Sequence, residues 1–146
     1  MICCHFDNIE NKIVEYMSKA DKIQICSAWC SSRPIIDILS NIDSTLIVTY
    51  QNKFIQGSKD FNMFEFDLIK KSVLRFYMFK HNENIMHNKY IILFRDDIPY
   101  AVITGSYNFT INAINNCENI LYIENINIAK QYSENFNHLL KNCKKI

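Results

Sequence analysis

"IMHNKYIILFRDDIPYAVITGSYNFT" (residues 85–110) decides how the rest of this chain is read. Tyr90–Phe94 form a solid apolar run, "RDDIP" (95–99) is a polar turn, and "YAVIT" (100–104) returns. Two β-prone runs around a short polar turn predict a hairpin. Alternate side chains of a strand share a face, so His87 and Lys89 point one way and Asn88 the other. A turn centred near residue 97 pairs positions whose numbers sum to about 193 or 194, placing His87 opposite Ser106 or Tyr107 at roughly 5 Å.

Gly105 is expected to let the backbone turn sharply at the strand end. Ser106 and Asn108 then stand where a short helix over 108–115 begins, and helix starts present free N–H groups that attract phosphate. An imidazole, an ammonium, an N–H-rich turn and two short polar side chains therefore converge. That set suits a phosphodiester: imidazole can attack phosphorus or carry a proton, while Lys and Asn hold non-bridging oxygens. A lone H-x-K is ordinarily a solvated pair and a lone G-S-x-N a turn. Their conjunction across one hairpin is the specific feature.

Outward from the hairpin, strands and helices alternate. A helix is expected over 7–20 with Asp7 as N-cap, then a strand at 22–29 and a helix opening at "SSRP" with Pro34 in its first turn. "STLIVTY" (44–50) lacks polar alternation, as in a strand covered on both faces. A helix over 58–71, with Phe61, Phe64 and Leu68 on one side, leads to a strand at 72–79; another strand is expected at 118–124. The last helix, 127–142, carries the stripe Ile128, Tyr132, Phe136, Leu139 and Leu140. The fold class is α/β: a layered domain, 1–146, with a central mixed β-sheet flanked by helices.

The composition excludes some classes. At 146 residues and 49% hydrophobic, the chain suits one globular core rather than disorder. A net charge of +1 neither demands nor excludes a polyanionic partner. No apolar segment approaches the ~20 residues of a membrane span, so no membrane partner is expected. The N-terminus "MICCHFDNIENK" has no signal-peptide pattern, and six Cys without export signals fit free thiols in a reducing cytoplasm. Cys26 and Cys30 could be half of a zinc site, but no second pair stands at ligand spacing, so buried thiols are expected. Trp29 and Arg33 could line a groove for nucleic acid, or pack in the core and lie in solvent respectively. His5 and His138 have no recognisable partners, and His81 is read as a loop residue. The Lys-rich "KNCKK" complements the last helix dipole and could touch nucleic acid.

Residues His87-Asn88-Lys89 and Gly105-Ser106-Tyr107-Asn108 resemble the signature of the phospholipase D superfamily, H-x-K, four residues, Asp, then G-S-x-N. "FTINAINNCENILYI" (109–123) is similar to the family's short helix, Asn-rich turn, Glu and strand. One copy of the signature in a chain of this length resembles the small bacterial endonucleases of the superfamily, which act on DNA or RNA as homodimers with one site across the two-fold axis. The resemblance implies a metal-independent phosphodiesterase without cofactor. His87 would be nucleophile in one subunit and general acid in the other, passing through a phosphohistidine. Lys89 and Asn108 would hold phosphate oxygens, Ser106 would hydrogen-bond within the site, and Glu118 would accept the His ring N–H. Where the signature places Asp, this chain has Phe94; either Asp96 restores the carboxylate at looser spacing, or Asp96 and Asp97 are a solvated turn. That departure sustains an alternative reading, a catalytically weak or inactive nucleic-acid- or protein-binding module. A lipid phosphodiesterase is a further alternative, and membership of a larger restriction or defence system another implied partnership.

Overall fold

A computed structural model describes residues 1–49, 72–80 and 85–146. The helix expected over 58–71 and His81 lie outside the described residues. The described elements are β1 (Ile2–His5), α1 (Ile9–Met17), β2 (Lys22–Ser27), α2 (Arg33–Asn41), β3 (Asp43–Thr49), β4 (Leu74–Phe79), β5 (Lys89–Arg95), β6 (Ile98–Gly105), a 3-10 helix (Ile111–Asn115), β7 (Ile120–Glu124), α3 (Ile126–Leu140) and β8 (Cys143–Lys145). Eight strands make one sheet in the order β1-β7-β6-β5-β2-β3-β4-β8. β2, β3 and β4 run parallel, and every other neighbouring pair is antiparallel. This is the mixed, helix-flanked α/β sheet that the alternation of elements implied.

The sheet sorts its side chains by parity. Ile91 and Leu93 of β5 join Ile13, Met17, Ile35 and Leu39 of α1 and α2 on one face. Tyr90, Ile92 and Phe94 join Ala129 and Phe136 of α3 on the other. Both faces of the central strands are covered, which is why Ser44–Thr49 and Tyr90–Phe94 are continuously buried. Burying a side chain such as Leu39 or Ile91 stabilises the fold by about 1.5–3 kcal/mol each. Among the described residues no helix is long and apolar enough to cross a membrane.

The hairpin has the expected register, with a refinement. Pairing runs from Tyr90–Thr104 to Leu93–Ala101, then shifts by one to Phe94–Pro99 and Arg95–Ile98 across a bulge. The bulge accounts for both sums allowed by the sequence. Asp96 and Asp97 form the turn with φ of 50° and 61°, as a two-residue hairpin loop with positive φ at both positions requires. Asp97 pairs with Lys22 at 2.8 Å, and the Asp96 N–H donates to Asp21. Both carboxylates stand at the far end of β5 from Lys89, about 20 Å away at 3.3 Å per residue. Both are exposed turn residues, the solvated turn of the two readings.

Other local expectations need correcting. The cap of α1 is Asn8, in the left-handed region at φ 53°, not Asp7. Ser32 caps α2 by position, but its hydroxyl donates to Glu10 at 2.8 Å and accepts from no helix N–H. α3 begins at Ile126 with the Asn125 side chain accepting from the Ile128 N–H. The strands β1 and β8, at the two sheet edges, were not foreseen.

Gly105 is needed for a different reason from the one its position suggested. Its φ lies outside the left-handed region; it closes β6 against β7, paired with Ile120. A Cβ there would lie 2.2 Å from the Asn119 carbonyl oxygen and 2.8 Å from Ile120 Cα. Both obstacles are backbone, so they cannot swing aside. Gly105→Ala is expected to destabilise the protein by about 3 kcal/mol, the upper end for overpacking, read as a lowered urea midpoint at unchanged slope.

Candidate active site

His87 and Lys89 enter the site from one end of the hairpin and Ser106 and Asn108 from the other. β2 guides the first pair: Ser27 lies opposite Lys89, and the Ala28 N–H donates to Asn88 O at 3.2 Å. The chain past β2 brings Trp29 edge-on to the His87 ring, 5.5 Å between centroids at 84°. Trp29 therefore lies beside the imidazole, half-buried. Arg33 pairs with Asp37 along α2 at 2.7 Å.

The Lys89 ammonium lies 3.3 and 3.4 Å from the two ring nitrogens of His87 and donates to the His87 carbonyl at 3.0 Å. The shared face expected from strand alternation is realised. His87 is exposed and Lys89 partly buried. Burial pushes the Lys89 pKa below the ordinary 10.5, and the nearby Glu118 carboxylate opposes that shift.

Ser106 is fully engaged. Its hydroxyl donates to Glu118 Oε2 and accepts from the Asn119 N–H at 3.1 Å. Asn116 Nδ2 reaches Glu118 Oε1 at 3.5 Å. Glu118 was expected to hold the His ring; within one chain its partners are instead Ser106 and Asn116, and its charge acts on Lys89. Asn108 lines the same cleft, and its Oδ1 is buried without a partner among the described residues. Its carboxamide is the uncommitted polar group of the set.

The N–H-rich helix start is not there. The helix is one 3-10 turn that begins at Ile111, three residues past Asn108. The N–H groups of Ser106, Thr110 and Ile111 already bond to Asn119 O, Asn108 O and Ser31 Oγ. These three N–H groups are therefore not available to an anion. Among the described residues no group of three His, Cys, Asp or Glu is placed to hold a metal. Cys26 is buried against Met86, its Sγ 3.2 Å from the Met sulfur, and burial pushes its thiol up to about 12. It is not poised as a ligand.

The four residues open onto a cleft of about 710 Å³ whose opposite wall is α3, with Gln131, Tyr132 and Asn135. Thr104 and Tyr90 complete its floor. Sequence reasoning assigned Tyr132 to the core stripe and passed over Gln131 and Asn135. The i, i+4 spacing of two carboxamides beside an aromatic was the only signal available.

At the position of the signature Asp, Phe94 is 4% exposed and packs in the α3-side core. The Lys22 ammonium lies 5.1 Å from its ring centroid. Phe94 is a packed core residue at the turn end of β5, remote from the cleft. Phe94→Asp is therefore expected to lose about 3 kcal/mol of stability in chemical denaturation, with no gain in any activity.

A mixed eight-stranded sheet with H-x-K and G-S-x-N on one cleft defines a phospholipase D-like domain. Residues 13–140 match the family described as "cardiolipin synthase, PLD-like domain", and the chain belongs to that family. It is 24% identical over 177 residues to protein L381 of Acanthamoeba polyphaga mimivirus, covering 90% of this chain and 62% of that one. The chain thus spans less than two thirds of that relative. Among solved structures it is similar to Nuc of Salmonella typhimurium, a phospholipase D family member. That match has a TM-score of 0.81 at 19% identity, over 100% of this chain and 97% of the other. NucT of Helicobacter pylori matches at 0.78 and 20%, over 100% and 99%. At these identities the structural likeness speaks for the fold.

Proposed function

We propose that the chain is a metal-independent phosphodiesterase, an endonuclease of DNA or RNA, acting as a homodimer. The observation that carries the reading is the meeting of His87, Lys89, Ser106 and Asn108 on one cleft from opposite ends of a single hairpin. Membership of the phospholipase D-like family supports phosphodiester chemistry. Near-complete mutual coverage with Nuc and NucT supports the small single-signature type.

In the proposed mechanism the His87 imidazole attacks phosphorus and the P–O bond to the leaving alcohol breaks. The partner's His87, entering as imidazolium, gives that oxygen its proton. The partner's His87 then takes a proton from water as it attacks the phosphohistidine, and His87 departs. Lys89 from each chain neutralises the non-bridging oxygens, the work a divalent cation does elsewhere. Asn108 turns its amino group to the same oxygens. Ser106 fixes Glu118, whose charge opposes the lowering of the Lys89 pKa by burial. One chain supplies one such histidine, so the chemistry calls for two.

The test is incubation with plasmid, single-stranded DNA and RNA in excess EDTA, wild type beside His87→Ala. Cleavage in EDTA by the wild type alone is expected. Binding of nucleic acid without turnover, unchanged in His87→Ala, would leave the binding-module reading in its place. Release of head groups from phospholipid vesicles with nucleic acids intact would favour the lipid one.

A further inference from the structure

The wall opposite the catalytic set has no part in the mechanism above. α3 is fixed on the sheet by buried Ala129 and Phe136 and by the Ser133 hydroxyl, which donates to Gln24 at 3.2 Å. Its exposed Gln131 and Asn135 stand one turn apart and both line the cleft. Between them Tyr132 lies edge-on to Tyr90, 5.0 Å between centroids at 80°.

Asn135 is oriented from below. The hydroxyl of Tyr90, a residue only 3% exposed, donates to Asn135 Oδ1 at 2.9 Å. Burial holds the Tyr90 phenol above its usual range, so it stays protonated and remains a donor. With its oxygen engaged, the Asn135 carboxamide offers its amino group to the cleft. Tyr90 is the residue after Lys89, so the same strand that places the ammonium also sets this amide. A cleft of about 710 Å³ sits within the roughly 300–1,000 Å³ of ligand pockets and leaves room beside a phosphate for more of the substrate.

We infer that Asn135, oriented by Tyr90 and assisted by Gln131, is a base-reading subsite for an unpaired nucleotide next to the scissile phosphate. The amino group donates to an acceptor on the base edge, and the Tyr132 ring supplies apolar surface for its face. A base whose face lies on the Tyr132 ring has left its duplex stack, so the substrate is single-stranded at this nucleotide. The inference rests on the phosphodiesterase reading and adds the strandedness and base dependence of its substrate.

The experiment compares a dye-labelled single-stranded oligonucleotide with bis(4-nitrophenyl) phosphate, a diester that carries no base. Asn135→Ala is expected to raise KM for the oligonucleotide about five- to tenfold, with turnover of the baseless diester unchanged. Tyr90→Phe keeps the ring in the core and frees the amide to rotate. It is expected to flatten the wild-type preference among dA, dC, dG and dT oligonucleotides. Equal loss on both substrates in Asn135→Ala, no change on the oligonucleotide, or a wild type indifferent to base would each overturn the subsite. If the wild type cleaves neither substrate, the phosphodiesterase reading falls by itself. Equilibrium binding of the labelled oligonucleotide then decides the subsite: about fivefold weakening in Asn135→Ala supports it, and unchanged affinity overturns it.

Discussion

His87→Ala is expected to lower phosphodiester turnover by about 10⁴-fold or more while leaving stability within about 0.5 kcal/mol of wild type. The two halves of that expectation have separate causes. In the proposed chemistry His87 makes the covalent bond in one half-reaction and moves the proton in the other, so its loss removes both. In the fold it is exposed; its ring touches the edge of Trp29 and the Lys89 ammonium and fills no core position. Steady-state rates on an activated diester, set beside a urea denaturation curve, read both quantities. A parallel fall in stability and rate would mean that His87 holds the loop and does no chemistry.

The same variant tests whether two chains share one site. Equal amounts of wild type and His87→Ala, exchanged to random pairing, yield about one quarter wild-type homodimers. If both histidines serve one phosphate, activity falls to that quarter. Independent sites would leave one half.

The hairpin was legible because its information is local. Five apolar residues, a polar turn and a return run set the strands, and parity alone put His87 and Lys89 on one side. The bulge at Leu93/Phe94 was not legible, since a one-residue register shift leaves the run of apolar residues unchanged. β1 and β8 are too short for any periodicity; "ICCH" and "CKK" become strands only because β7 and β4 offer them open edges. The true constraint on Gly105 is a carbonyl fourteen residues away, invisible until β6 and β7 pair. The short 108–115 helix was overestimated because its first residues bond back to the Ser31–Ser32 segment instead of to a helix ladder. Gln131 and Asn135 look like solvated carboxamides until α3 is laid across the sheet with that face at the cleft.

Lys89→Ala should be the next most severe loss, about 10²–10³-fold in kcat, the effect of deleting one donor from a developing anion. Its pH dependence is more telling than its size. A lysine holds phosphate only when protonated, so activity is present below its pKa and lost as pH rises through it. Partial burial lowers that pKa from 10.5, and Glu118 offsets part of the lowering. The alkaline limb of the kcat/KM profile should therefore fall before the range of a free lysine. Glu118→Gln removes the opposing charge and should move the limb to still lower pH. Lys89→Arg should push it upward, because guanidinium keeps its proton throughout, although the altered shape will reduce the maximum. A limb unmoved in both variants would mean that some other group titrates, and that the ammonium packed against His87 is not the cation facing the phosphate.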